Sequence, residues 1–378
     1  MKMKAIILTT MLVISSVACS TNVKQDTNPG RNTATDSHQE SVAPSEPNRH
    51  LLPDTMTLTV AMTGDIMMGT TFPKIQLPAN DGRDLFSDTK EITRRADIAV
   101  GNLEGAVCEG GRSTKGTGPY SYAFRMPTSY APLLKDAGYD YLSLANNHAR
   151  DFGDEGIASS ERVLTEQGIA FSGIKGHQES AVVELNGVRY GLCAFGHNSY
   201  TLRHSDLDKV KSILDDLRSK ADIVIVSFHG GAEGKTKNHL PYGPETFLGE
   251  NRGDLRNFAH FCIDNGADIV YGHGPHVVRA MEVYKDRFIA YSLGNFCTPY
   301  GISLTGISGY SPVVEIKIGG DGRFKSGQIY SFIQTKGVGP RKDPTNAVAQ
   351  EIKRLTESDI QGSPIRISND GGISIVGR

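Results

Sequence analysis

From residue 56 onward, two hydrophobic rhythms alternate along the chain. Short, mainly apolar, β-rich runs occur at 57–62, 98–102, 141–145, 223–228 and 269–271. They lack in-and-out alternation, which predicts strands covered on both faces, as in parallel sheets. Between them, apolar residues at helical spacing predict helices over 85–95, 130–137, 154–167, 207–220 and 252–265. Gly138, Gly168 and Gly266 stand just past three of these helices, where a left-handed C-cap residue is needed. Paired strand-like runs form a second pattern. Runs 181–185 and 189–195 flank Asn186-Gly187, a strong two-residue hairpin signal, and 280–284 and 287–292 flank Lys285-Asp286. Runs 313–318 and 326–332 flank a Gly-rich turn. Together these predict an α/β protein in which a mixed pair of sheets packs face to face under helices. Beyond Lys336 periodicity weakens, with a surface helix predicted over 345–356.

The first 53 residues follow neither rhythm. Met1-Lys2-Met3-Lys4 is basic, and residues 5–14 are apolar except for Thr9 and Thr10. That run is too short to cross a membrane, which takes about 20 apolar residues, but it suits a secretory signal. Ser16-Val17-Ala18-Cys19 resembles a bacterial lipobox, although Ser16 stands where Leu is usual. Residues 1–19 therefore read as a lipoprotein signal peptide with Cys19 as the lipid anchor; cleavage near Ala18 with release of a free product is the alternative. Residues 20–53, rich in Ser, Thr, Asn and Pro, are too polar to fold and read as a disordered tether. The folded domain is then 54–336, with 337–378 a C-terminal extension packing on it.

Composition removes several function classes. The chain has 378 residues and 38% hydrophobic content, enough for a large core, so a wholly disordered chain is excluded. Lys and Arg number 40 against 42 Asp and Glu, leaving no cationic excess for nucleic acid. Cys108, Cys193, Cys262 and Cys297 show no CxxC spacing, and Cys193 and Cys262 lie in apolar runs that predict buried free thiols. Gly110, Gly111, Gly116 and Gly118 predict a mobile loop near the pocket.

The candidate chemistry lies where the apolar runs stop. In open α/β sheets, sites form beyond the carboxyl ends of strands. The five runs end in Gly64-Asp65, Gly101-Asn102-Leu103-Glu104, Asn146-Asn147-His148, His229-Gly230-Gly231-Ala232-Glu233 and Gly272-His273-Gly274-Pro275-His276. Singly, each has a plain structural reading: Gly-Asp as a turn and helix cap, Asn-Asn as a left-handed turn, His229 as a hydrogen-bonded core histidine. Convergence of five such ends on one sheet edge instead predicts a divalent metal site, of one or two ions. Imidazoles mixed with carboxylates and an amide suit Zn, Mn or Fe(II), whereas an all-oxygen Ca or Mg cage needs no His. The absence of thiolates favours a catalytic over a structural site.

These pieces, taken in order with Phe124-Arg125-Met126-Pro127 and Tyr291-Ser292-Leu293-Gly294-Asn295-Phe296, resemble the CapA (poly-γ-glutamate) capsule biosynthesis family, a branch of the calcineurin-like metallophosphoesterases. The resemblance covers about residues 57–300. It implies a four-layer α/β/β/α sandwich of the metallo-dependent phosphatase type, here with added C-terminal β-hairpins. It implies Asp65, Glu104, Asn147, His229, His273 and His276 as metal ligands, His148 as the general acid that protonates a leaving group, and Arg125 as the holder of an anionic substrate group. Glu233 is implied as a further ligand or as the partner that orients His229, and Asn102 and Asn295 as residues lining the site. Three departures stand out. Met67 replaces the imidazole of the usual Asp-x-His, Asn102 replaces a bridging carboxylate, and Gly274 stands where many members have His.

Two functions compete. One is a metal-dependent hydrolase, phosphoesterase-like or amide-cleaving, acting on an extracytoplasmic anionic polymer such as poly-γ-glutamate or its precursor. The other is a non-catalytic factor that binds the polymer for assembly or export. The resemblance also implies other capsule synthesis proteins as partners, and the signal pattern implies a membrane-anchored, extracytoplasmic lipoprotein.

Overall fold

The computed structural model describes residues 52–53, 55–116, 118 and 121–377. The signal segment, Cys19 and nearly all of the 20–53 tether lie outside the described residues. Two mixed sheets carry the fold. The first runs in the order Ile365–Ile367, Gly372–Ile375, Phe324–Tyr330, Val313–Gly319, Thr57–Ile66, Ile98–Leu103, Tyr141–Ser143 and Ala170–Ser172, and Asn295–Cys297 joins alongside the end of Thr57–Ile66. The second runs Met281–Tyr284, Arg287–Ala290, Ile269–His273, Ile223–His229, Val188–Phe195 and Ser180–Leu185. The central strands of each sheet are parallel, and the hairpin strands add antiparallel flanks.

Helices cover both outer faces. Helices α1 (Lys90–Arg95), α2 (Ala131–Asp136) and α3 (Gly153–Glu166) bury Ile92, Leu134, Ile157 and Leu164 in an outer core shared with the first sheet. Helices α4 (Leu207–Lys220) and α5 (Leu255–Asp264) cover the second sheet. Val210, Ile213, Leu214 and Leu217 recur at helical spacing on α4 and are buried, while Asp206 caps it by accepting from Lys209 N at 3.2 Å. Between the sheets, Val60, Met62, Val100 and Ile316 meet Tyr190, Ile225 and Tyr271 in one continuous core. The Tyr271 hydroxyl donates across this gap to Gly101 O at 3.4 Å. The architecture is therefore α/β/β/α.

Several predicted boundaries move, each for a visible reason. Predicted strands 57–62, 98–102, 223–228 and 269–271 extend to Ile66, Leu103, His229 and His273. Polarity had marked three of these ends, but Asp65, His229 and His273 are fully buried and stay in the ladder. Helix 85–95 shrinks to Lys90–Arg95, because Leu85 N and Thr89 N close three-residue turns onto Gly82 O and Phe86 O. Helix 252–265 begins at Leu255, because Glu250–Gly253 pairs with Glu245–Phe247 and Asp254 caps Asn257 N. The short strand Ala170–Ser172 had no run long enough to mark it. Asn186-Gly187 does turn the hairpin, both residues having positive φ.

Residues 337–378 are woven into the body. Helix α6 (Ala347–Asp359) buries Val348, Ala349, Ile352 and Leu355 in the main core, against Met281–Tyr284 of the second sheet and Phe324–Tyr330 of the first, and two short strands after it extend the first sheet. Cys108, Cys193, Cys262 and Cys297 are all free and buried. Among the described residues, no helix is long and apolar enough to cross a membrane.

Candidate functional site

Strand register gathers the site. On the first sheet Asp65 lies opposite both Asn102 and Asn295, and on the second His229 lies opposite His273. Face-to-face packing then presents one row to the other. His273 Nδ1 stands 3.2 Å from Asp65 Oδ1, and His276 Nδ1 stands 3.1 Å from Asp65 Oδ2. His229 Nε2 stands 3.3 Å from Glu104 Oε2. Asn295 orders His276: its Oδ1 is 3.0 Å from Nδ1, while its Nδ2 donates to His276 O at 3.2 Å. The turn between the two imidazoles is crowded. Gly274 has φ +116, and a Cβ there would lie 2.3 Å from Gly230 O. A His in place of Gly274 therefore has no room on this backbone. His276 itself has φ 56, a left-handed conformation that non-glycine residues adopt at a cost and that clusters at functional sites.

Asn102 is a donor between two carboxylates. Its Nδ2 donates to Asp65 Oδ1 at 2.9 Å and to Glu104 Oε2 at 2.6 Å, and its Oδ1 accepts from Asn146 Nδ2 at 3.0 Å. Asn146 Oδ1 in turn accepts from His148 N at 3.0 Å. The amide thus removes one negative charge from the centre and ties the third strand end to it.

Several polar atoms of this cluster are buried without any hydrogen bond: both ring nitrogens of His229 and of His273, and Glu104 Oε1. Unpaired buried polar groups are costly and rare in folded proteins. The nitrogen–oxygen separations of 3.2 and 3.3 Å for His273 and His229 are misaligned for hydrogen bonds. They resemble the roughly 3.0–3.4 Å between two ligands each about 2.1 Å from one ion. The donor types fit a borderline divalent cation. No three or more His, Cys, Asp or Glu side chains among the described residues already form a ready metal-binding group, however. The fit is one of donor chemistry and of unpaired buried atoms.

The remaining candidates surround this core. His148 Nδ1 pairs with Asp151 Oδ2 at 2.9 Å, and Asp151, fully buried, also accepts from Phe124 N at 2.7 Å. The Phe124 ring lies 4.4 Å from the His148 ring. Asp151 was not singled out in the sequence; its place three residues after His148, on the same turn, was the available signal. Lys115, from the Gly-rich loop, donates to Asn147 O at 2.8 Å and stands 3.4 Å from Asp151 Oδ1. Asn147 Oδ1 is buried without a hydrogen-bond partner, so among the described residues no hydrogen bond of this oxygen joins Asn147 to the Asp65 cluster. Arg125 lies between the Phe72 and Phe152 rings, its Nε donating to Thr71 Oγ1 at 2.9 Å, and its terminal nitrogens have no partner among the described residues. Glu233 differs from expectation. It accepts from Arg252 Nη1 at 2.8 Å and leaves His229 without a hydrogen-bond partner, because the buried guanidinium outcompetes a neutral imidazole for the carboxylate. Sequence reasoning also missed His197, whose ring stacks 5.9 Å from that of His229.

The bacterial capsule synthesis protein PGA_cap family matches this chain over residues 59–300, which contain every one of these side chains. The chain belongs to that family. The capsule biosynthesis protein CapA of Bacillus anthracis is 28% identical over 267 residues, 66% of this chain and 61% of the relative. The PGA biosynthesis protein CapA of Bacillus subtilis strain 168 is 27% identical over 284 residues, 71% of this chain and 70% of the relative. The chain thus spans less than two thirds of the B. anthracis protein. Solved structures overlap it in part. A hypothetical protein from Thermus thermophilus does so at TM-score 0.47 and 18% identity, over 73% of this chain and all of that one. A 5'-nucleotidase precursor from the same organism does so at 0.43 and 12%, over 80% and 59%. The layer assignment rests on the sheet orders given above.

Electrostatics in this PGA_cap centre follow from burial. Burial alone would raise Asp65, but the close imidazoles of His273 and His276, the latter hydrogen-bonded to it, outweigh burial and hold the carboxyl far below its usual range. Burial and the adjacent Asp65 charge push Glu104 up to about 7. Burial would lower His276, yet Asp65 raises it to about 10. His229 falls to about 3, His204 to about 4 and His197 to about 2, chiefly through burial. Below the ordinary imidazole value of about 6.5, the unfolded chain protonates those last three residues while the folded chain does not, so stability drops as the pH is lowered. Glu104 works oppositely, because the folded state takes up its proton first, but three imidazoles outnumber one carboxyl. His276 stabilises fully below about 6.5, and that contribution is lost as pH rises through about 10. Metal-stripped protein should be most stable near neutrality and lose roughly 3 kcal/mol between pH 7 and 5. Urea midpoints at pH 5, 7 and 9.5 check this, and a midpoint at pH 5 equal to or above that at pH 7 contradicts it.

Proposed function

We propose that this PGA_cap chain is a metal-dependent hydrolase acting on an anionic polymer such as poly-γ-glutamate, or on its precursor, outside the cytoplasm. The observation that carries the reading is the set of unpaired imidazole nitrogens facing two buried carboxylates, joined through Asn146 and Asn102 to an oriented His148–Asp151 pair. The relatives named for capsule and PGA biosynthesis support the substrate class.

Asp65, Glu104, His229, His273 and His276 would hold the ion, with Asn147 available from the adjoining loop. A bound divalent cation supplies Lewis acidity and lowers the pKa of water. The chain's own residues do the rest. Asp151 fixes the proton of His148 on Nδ1 when the ring is neutral, and the protonated ring offers the Nε2 proton to the leaving group. Arg125, stiffened between two aromatic rings, presents its free fork to an anionic group of the substrate. Asn102 favours occupancy by fewer cations than a bridging carboxylate would allow. That same substitution favours the second reading, a non-catalytic polymer-binding factor for assembly or export.

The deciding experiment supplies full-length protein with Mn or Zn and offers it a γ-linked glutamate oligomer and a phosphomonoester. Cleavage of one of them is expected, with kcat reduced about 10²–10⁴-fold in His148→Gln. Undiminished turnover in that variant removes the assigned acid, and no turnover of either substrate favours the binding role. The lipobox-like segment supports membrane anchoring through Cys19. Cys19→Ala should move the protein from the membrane pellet to the soluble fraction; a variant that still pellets sinks the anchor.

A further inference from the structure

An open cleft of about 430 Å³ adjoins the centre, and none of the functions above uses it. Its walls include His197, Asn198, Tyr200, Arg203, His204 and Glu250. Two of these residues connect it directly to the site. His197 stacks on His229 and has its Nδ1 3.5 Å from His229 O, and the Tyr200 hydroxyl donates to Asn146 O at 3.0 Å. A ligand lying in the cleft would therefore be separated from His229 and Asn146 by a single side chain, His197 or Tyr200.

The cleft's polar inventory points to what it takes. Arg203 is exposed, and its guanidinium has neither an ion-pair nor a hydrogen-bond partner among the described residues. Most arginines around it are engaged: Arg252 is held by Glu233 and Glu250, and Arg279 by Glu245. Deeper in the walls, His204 Nε2 and Asn198 Oδ1 are buried without hydrogen bonds, as is His197 Nε2, which stands 3.5 Å from Glu250 Oε2. His204 is 5% exposed, so its unmet nitrogen is a real cost unless something in the cleft meets it. A free fork at the rim above unmet polar atoms is the inventory of a built polar site rather than of a solvated surface, where an arginine's neighbours would be satisfied by water.

We infer that this cleft is a second subsite, in which Arg203 grips an oxyanion of the ligand and the buried polar atoms bond the segment leading to the centre. The inference deepens the hydrolase reading and rests on it for the identity of the chain bound. The chemistry required is a carboxylate or a phosphate, because both match the planar fork in two-point contact. Glu250 stands on the same wall with its side chain half exposed, and Arg252 Nε lies 3.0 Å from it. Its residual charge opposes the ligand, so the subsite discriminates by position rather than by bulk positive charge.

Calorimetric titration of the full-length chain tests this with three probes: a γ-linked glutamate oligomer, the same oligomer with its carboxylates amidated, and inorganic phosphate. Wild type is expected to bind the acidic oligomer and not the amidated one. Arg203→Ala should weaken that binding about tenfold, the loss expected for one charge-assisted contact, and Arg203→Lys by less. Glu250→Gln should tighten it, a gain that loss of a merely structural contact would not produce. If phosphate binds and the oligomer does not, with the same dependence on Arg203, the oxyanion subsite stands and the γ-glutamate reading falls. Equal affinity in Arg203→Ala and wild type, equal affinity for the amidated oligomer, or no oxyanion binding at all overturns the inference.

Discussion

Burial of the Asp65 carboxylate is the constraint on which the site depends. The side chain is fully enclosed at the end of a central strand, where an isolated charge would cost several kcal/mol. The compensation cannot come from its own strand. It comes sideways from Asn102 on the neighbouring strand and from across the gap, through His273 and His276 of the second sheet. Two sheets that offered only apolar faces to each other could slide by a residue at little cost. Sheets that must match a carboxylate to two imidazoles within about 3 Å cannot, because a slide of one residue, about 3.3 Å, would break both contacts.

That constraint explains why the chain was legible in part. Hydropathy located the central strands, because parallel strands covered on both faces read as unbroken apolar runs. It stopped three of those strands too early, since Asp65, His229 and His273 look like surface residues to any rule that equates polar with exposed. The ordered motifs at the strand ends pointed to the cluster around Asp65 without help from the fold. The sequence alone could not show that Asn102 would donate to both carboxylates, nor that Glu233 would bond Arg252 instead of orienting His229. Both depend on contacts between elements far apart in the chain. Asp151 was within reach of the sequence, three residues after His148, whereas His197 and Arg203 lie outside the five strand-end motifs and only folding places them beside His229 and the cleft.

The departures noted in the sequence have physical consequences here. Met67 is fully buried in the outer core, so the position that would carry an imidazole instead strengthens packing under α1–α3. Asn102 keeps the centre from holding three adjacent carboxylates, and Gly274 lets the fifth strand end lie against the Gly230 backbone. Membership of the PGA_cap family accounts for the ordered motifs. In this centre two carboxylates, Asp65 and Glu104, face several imidazole nitrogens left without hydrogen bonds, a balance that a single divalent cation would complete.

The claim that the cluster is a cation site is tested most directly by following thermal unfolding of metal-stripped protein during titration with Mn²⁺ or Zn²⁺. A ligand that binds the folded state alone raises the midpoint with concentration. The account predicts such a rise in wild type and its loss in Asp65→Asn, whose folded state is confirmed by unchanged far-UV circular dichroism. A midpoint indifferent to both cations, or a rise that survives Asp65→Asn undiminished, would contradict it.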